Sequence, residues 1–334
     1  MLQDNGLLKH YNSNKLFSKR DLLSIKMFKI DKEIQCSYGS NLRAKVLTKD
    51  DNGNEVPFYL KQCFDGENDA EVLLSQVYAR AGFKTAIYTP VKFSGMKNCV
   101  ISNNIATPDT LPYANYDISS IEDFKDEKAT MIAPFALGKN YHLFFSPVAN
   151  SNMHYERYFT RDAIRQILKM RIFDTASFNT DRHNNNFFLN LRDDDTYEEI
   201  TGNTRICDDI TLFDYGYSGI GWDFYKTPHK DLFSIDMEYV NKSSQKGCTY
   251  YHDFERSALI TRLTADKIIE NFKTNETVRQ FVSMDELSAE LSCAGQDIPE
   301  VAREIKDTLD YEIKQEFVDK LQENFDNMAN ELVR

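Results

Sequence analysis

The chain has 334 residues, 41% hydrophobic and 28% charged, with 23 Phe and 18 Tyr, a composition that excludes extended disorder. That length exceeds what one hydrophobic core comfortably organises, so two lobes with a cleft between them are expected. A formal net charge of −12 argues against nucleic acid as a partner, because a phosphate backbone needs a basic surface.

In chain order, residues 1–30 carry a weak helical pattern around 20–28 and read as an N-terminal arm. From 33 to 64 the pattern is that of strands. Ile34, Cys36 and Tyr38 alternate, then Ala44, Val46 and Thr48, and Asp50-Asp51-Asn52-Gly53-Asn54 is a hairpin turn before a returning strand that ends at Lys61. Over 68–82 the period changes: Ala70, Leu73, Leu74, Val77 and Tyr78 share one helical face, and Gly82 follows as a stop. Strands resume near 87–93 and 99–101, and a loop-rich stretch at 106–128 leads to 131–137, read as an edge strand and crossover. Residues 31–137 thus form a small β-rich lobe with one helix, and 138–334 a larger, mostly helical one.

In the second lobe, Ile164, Ile167, Leu168, Ile172 and Phe173 predict a helix with Thr160 as N-cap. A hairpin follows within 187–214, with strands at 187–191 and 210–213 around a polar turn at 192–209 that includes Asp208-Asp209. Helices dominate beyond residue 253. Val301, Ile305, Leu309, Ile313, Phe317, Leu321 and Phe325 recur every four residues and read as the packing face of one long helix.

The six cysteines are scattered without a Cys-x-x-Cys pair, which speaks against zinc and disulfide frameworks and for free thiols in a reducing cytoplasm. No signal-peptide pattern opens the chain and no apolar run approaches membrane-spanning length. A cytoplasmic location is expected; an effector secreted by another route would look the same. Histidines 10, 142, 154, 229 and 252 show no ligand spacing.

The chemically informative segment is Asn179-Thr180-Asp181-Arg182-His183-Asn184-Asn185-Asn186, a polar loop between a helix and an apolar strand. A second apolar strand ends in Phe213-Asp214-Tyr215-Gly216. If the two strands pair, Asn186 and Asp214 stand side by side at one rim, and both offer the hard oxygens that magnesium takes. Asp181 is placed to orient an acceptor hydroxyl or take its proton. Phosphoryl transfer needs these parts and a positive charge on the phosphates, for which Lys61, ending an apolar strand, is the candidate. Glu71, near the start of the next helix, is its natural partner.

Together these residues resemble a known group. Asn179-Thr180-Asp181-Arg182-His183-x-x-Asn186 resembles the catalytic loop of HipA-like serine/threonine kinases and of phosphatidylinositol 3- and 4-kinases, and Phe213-Asp214-Tyr215-Gly216 their metal-binding Asp-x-Gly. The stretch 71–78, running on to Gly82 and Tyr88, is similar to the helix after the phosphate-contacting lysine in the HipA-like group and in compact CtkA-like bacterial effector kinases. By motif order the resemblance covers about residues 34–225.

It implies an α+β, bilobal protein-kinase-like fold and an ATP- and magnesium-dependent kinase acting on protein serine or threonine, its own chain among the expected substrates. Lys61 would contact the phosphates with Glu71 holding it, Asp181 would be the base, and Asn186 and Asp214 the metal ligands. The loop bearing Gly39 and Ser40 would cover the nucleotide, and backbone near Met131 and Phe135 would touch adenine. Arg182 and His183 would shape the loop or meet phosphate. The sequence departs from the pattern in two places. The loop at Gly39 has one glycine where typical protein kinases have three, and the extra N-terminal subdomain usual in HipA-like kinases is not expected.

Two other readings stand beside this one. A lipid or small-molecule kinase shares the same loop, although the acidic sequence supplies no obvious basic patch for it. A nucleotide-binding pseudokinase acting as an interaction module would account for the thin glycine loop, but it would not need every motif acid. The residues taken singly have plainer readings too: Lys61 as a snorkelling edge lysine, Glu71 as a helix-dipole charge, Asp214-x-Gly216 as a turn.

Overall fold

The computed structural model describes residues 29–31, 43–49, 55–63, 66–93, 96–103, 105, 110–112, 159–177, 179, 186–193, 205–216 and 265–334. It is a mixed structure of helices and small antiparallel sheets, and it divides into two compact units, each drawn from three stretches of chain.

The first unit draws on Met1–Ile105, Tyr215–Pro228 and Ala294–Gln322. Its strands are β1 (Lys29–Asp31), β2 (Arg43–Lys49), β3 (Glu55–Gln62), β4 (Lys84–Thr85), β5 (Tyr88–Phe93) and β6 (Met96–Asn103). Five of them form one sheet in the order β1-β2-β3-β6-β5, every neighbouring pair antiparallel. The β2–β3 pairing puts Lys49 opposite Glu55 across the turn read from the sequence, and Arg43 opposite Lys61 at the other end.

Helix α1 (Glu67–Arg80) packs on β5 and β6. All five apolar positions of its expected face, Ala70, Leu73, Leu74, Val77 and Tyr78, are fully buried. At its end Gly82 takes φ +88, the Gly82 amide donates to the Ala79 carbonyl, and the Phe83 amide donates to the Tyr78 carbonyl. A left-handed residue closing the last carbonyls is the usual work of glycine there.

The second unit draws on Ala106–Asp214, His229–Cys293 and Glu323–Arg334. Strands β7 (Thr110–Pro112), β8 (Phe187–Asp193) and β9 (Arg205–Leu212) lie side by side in that order, antiparallel. Helix α2 (Arg161–Ala176) packs on β9. Thr160 caps it as expected, its hydroxyl oxygen accepting from the Ala163 amide at 3.2 Å, while the Thr160 amide donates to Cys207 of β9 at 2.8 Å. Helices α3 (Ala265–Thr274) and α4 (Glu276–Phe281) follow; α5 (Met284–Leu309) and α6 (Gln315–Val333) each have residues in both units. Among the described residues no helix is long and apolar enough to cross a membrane.

Three expectations need correcting. The four-residue stripe is buried at all seven positions, but it spans two helices broken at Asp310, whose φ is +53. A four-residue step drifts about 40° around a helix, or about 240° over six steps, so one straight helix could not hold all seven against one core. The hairpin strands extend to Asp193 and back from Arg205, so Asp208 and Asp209 lie in β9, beside a register shift after Asn190. There the Asp209 carboxylate accepts from the Ile210 amide at 2.8 Å. The stretch read as loop at 106–128 contains β7, a three-residue edge strand too short to show a period. The arm pattern at 20–28 and the crossover at 131–137 lie outside the described residues.

Candidate functional site

In the first unit β3 presents Lys61 to α1. A lone ammonium inside a sheet-and-helix core would be costly. Lys61 is 5% exposed, and its Nζ lies 2.5 Å from Glu71 Oε1 and 2.8 Å from Glu67 Oε1, both fully buried carboxylates one helical turn apart. The second oxygen of Glu71 accepts the Tyr215 amide at 2.8 Å, so one carboxylate joins the β3 lysine to the backbone of the segment that follows Asp214 in the chain.

Tyr215 is fully buried, its ring edge-on to Tyr78 at 5.0 Å and to Tyr88 at 6.5 Å, with its hydroxyl 2.5 Å from Thr85 Oγ1. Gly216 passes so close to α1 that a Cβ there would stand 2.3 Å from Glu67 Cγ. Any side chain at 216 would displace that glutamate, so the glycine of Asp-x-Gly answers to a steric demand. The far side of α1 is tied down as well. Tyr311 donates its hydroxyl to Asp69 and accepts from Asn68, and Arg80 meets Glu300 and Glu304 on α5.

In the second unit the hairpin sets the other candidates. Phe187 pairs with Leu212, and beyond that pair the Phe213 amide donates to the Asn186 carbonyl at 3.3 Å. Asn186 and the residue before Asp214 are therefore joined at one end of the β8–β9 ladder, the neighbouring arrangement expected from the sequence. Asn186 is 2% and Asp214 5% exposed. Asp214 holds φ +62, a left-handed conformation uncommon outside glycine and kept where the surroundings enforce it. A carboxamide oxygen and a carboxylate, both hard and at one rim, fit magnesium by donor chemistry.

The polar loop between these elements is anchored at its start. Asn179, fully buried, donates its side-chain amide to Asp174 Oδ1 at 3.2 Å and its backbone amide to the Asp174 carbonyl at 2.8 Å. Asp174, itself fully buried in the last turn of α2, thereby fixes where the chain leaves the helix. Asp181, with Arg182 and His183, lies outside the described residues, as do Gly39, Ser40, Met131 and Phe135.

The structure therefore pairs Lys61 with Glu71 in one unit and joins the Asn186 and Asp214 segments in the other. Sequence reading missed Glu67, although its four-residue spacing from Glu71 was visible, and it missed Tyr215 and the Asp174–Asn179 anchor. The Tyr215 contact runs through a backbone amide, which leaves no trace in side-chain type.

No protein-family model matches the chain, and no curated protein matches it. Among solved structures it is similar to the crystal structure of a Helicobacter pylori proinflammatory kinase, CtkA, with 13% identity and a TM-score of 0.46 over 92% of this chain and 94% of that one.

Proposed function

We propose that this chain is an ATP- and magnesium-dependent phosphotransferase acting on protein serine or threonine hydroxyls, of the HipA-like kind, with its own chain among the substrates. The observation that carries the reading is the buried Lys61 held by Glu71, whose other oxygen takes the Tyr215 amide. A lysine inside an apolar lobe, fixed by a helix carboxylate, is suited to meet phosphate oxygens as a point charge.

In this reading Lys61 binds the phosphates of the nucleotide, and Glu71 keeps its ammonium in place. Asn186 and Asp214 offer the oxygens that would hold magnesium; bound there, the ion neutralises charge on the transferring phosphoryl group. Asp181 takes the acceptor hydroxyl's proton as that oxygen bonds to the γ-phosphorus. The bond from that phosphorus to the β–γ bridging oxygen breaks, and ADP leaves with the electron pair. Asp174 and Asn179 keep the start of the loop in position.

Incubation of the full chain with γ-labelled ATP and magnesium, alone and with a generic basic protein, tests this. Label in the wild type that vanishes in Asp181→Ala and in Asp214→Asn is the expected result. Label persisting in Asp181→Ala would remove that residue's role. Stabilisation by ATP with no label on protein would overturn the protein acceptor and turn attention to a lipid or small-molecule acceptor or to a non-catalytic nucleotide-binding module.

A further inference from the structure

Helix α1 carries Glu71, so the placement of its first turns decides whether that carboxylate reaches Lys61. Gly66 is the N-cap of α1 and has no side chain with which to take up a first-turn amide, as Thr160 does for α2. What ties this turn down comes from elsewhere in the fold.

One such tie is the half-buried Tyr311, in the connection between α5 and α6. Its hydroxyl donates to the buried Asp69 carboxylate and accepts from the Asn68 side-chain amide, both in the first turn of α1 and both in the first unit with Tyr311. A hydrogen bond to a charged group is among the stronger ones, and a buried carboxylate needs its donors. An α-helix turns by about 100° per residue, which sets Asp69 about 200° around α1 from Glu71. Lys61 and Tyr311 therefore grip neighbouring turns of α1 from opposite sides. Tyr311 reaches that place because Asp310 breaks the helix in left-handed backbone, while Leu309 and Ile313 stay buried on either side. At the other end of α1 the pairs of Arg80 with Glu300 and Glu304 are solvent-exposed, where ion pairs hold weakly.

We propose that Tyr311 is a positioning residue for the nucleotide phosphates: its hydroxyl fixes the first turn of α1, and through that turn it keeps Glu71 on Lys61. The chain beyond α5 thereby sets how tightly the first unit holds nucleotide. This rests on the reading of Lys61 as the phosphate-contacting lysine.

The test uses the full-length chain as wild type, Tyr311→Phe, Asp69→Asn, Glu71→Gln and the double variant Tyr311→Phe/Glu71→Gln. Dissociation constants are measured by calorimetry for ATP with magnesium and for inorganic tripolyphosphate, and melting temperatures without ligand show whether each variant folds. Tyr311→Phe, which removes one oxygen and keeps the ring, is expected to weaken both ligands about fivefold, the scale of one hydrogen bond. Asp69→Asn, whose carboxamide oxygen still accepts the phenol, keeps affinity near that of the wild type. Glu71→Gln weakens binding, and the double variant binds no more weakly than Glu71→Gln alone, because the two residues act along one line. Should Tyr311→Phe not fold, Asn68→Ala, which removes the donor to the same oxygen, takes its place in the cycle.

Wild-type affinity in a folded Tyr311→Phe would overturn the proposal and leave Tyr311 a structural contact. So would losses that add in the double variant, or a loss in Asp69→Asn as large as in Tyr311→Phe. Failure of both ligands to bind the wild type, or full affinity in Glu71→Gln, would instead overturn the nucleotide reading of Lys61 and Glu71, and this proposal with it.

Discussion

Asp214 combines the metal-ligand role proposed for it with a backbone conformation that most residues avoid. Its φ of +62 is tolerated by Asn and Asp, whose short polar side chains bond locally, and it penalises a β-branched residue by about 1–2 kcal/mol. Asp214→Asn should therefore fold with nearly wild-type stability while Asp214→Val loses about 1–2 kcal/mol. Chemical denaturation of the two variants side by side checks this. Equal stability would mean that the left-handed backbone is not held in solution. The comparison also separates lost activity from lost fold in Asp214→Asn.

Among the elements, the break between α5 and α6 makes the clearest prediction. Asp310 is exposed, with φ +53, and its amide still donates to the Lys306 carbonyl at 2.9 Å. Ala is the best helix former, so in one continuous helix Asp310→Ala would stabilise the protein. At a left-handed position the same change costs about 1 kcal/mol, and Asp310→Gly costs less than Asp310→Ala. Denaturation midpoints of the two variants decide the matter, since a stabilised Asp310→Ala would mean an unbroken helix. The periodicity at 301–325 correctly marked which side chains are buried but not where the helix stops, because an aspartate in left-handed backbone has no pattern of its own. Tyr311, just beyond the break, finds Asn68 and Asp69, more than 240 positions earlier in the chain.

On the scale of the whole molecule, four described cysteines sort by burial: Cys63, Cys99 and Cys207 are buried and Cys293 is exposed. Burial pushes the Cys99 thiol up, and the Cys207 thiol, on β9 where α2 packs, far above its ordinary value, so the reactive thiolate is scarce at neutral pH. Brief treatment of the native protein with an alkylating reagent should modify Cys293 well before Cys63, Cys99 or Cys207, as peptide mapping would show. Early labelling of Cys207 would mean that the α2–β9 packing opens readily. The same shift has a pH consequence. Above the ordinary thiol range the unfolded chain loses a proton that folded Cys207 retains, so stability falls as pH rises there.

The sequence alone determined the local features: the apolar face of α1 and its glycine stop, the Thr160 cap, the β2–β3 pairing, and a hairpin joining the Asn186 and Asp214 segments at one rim. Each follows from periodicity, capping or turn chemistry within a few residues, the range over which backbone geometry dictates side-chain pattern. Only the tertiary structure decided that Lys61 has two carboxylates, that the Tyr215 amide belongs to Glu71, that Gly216 leaves no room beside Glu67, and that the last apolar stripe is cut at Asp310. Those contacts join distant stretches through backbone groups, close approach and buried charge, and short-range residue patterns carry little information about them.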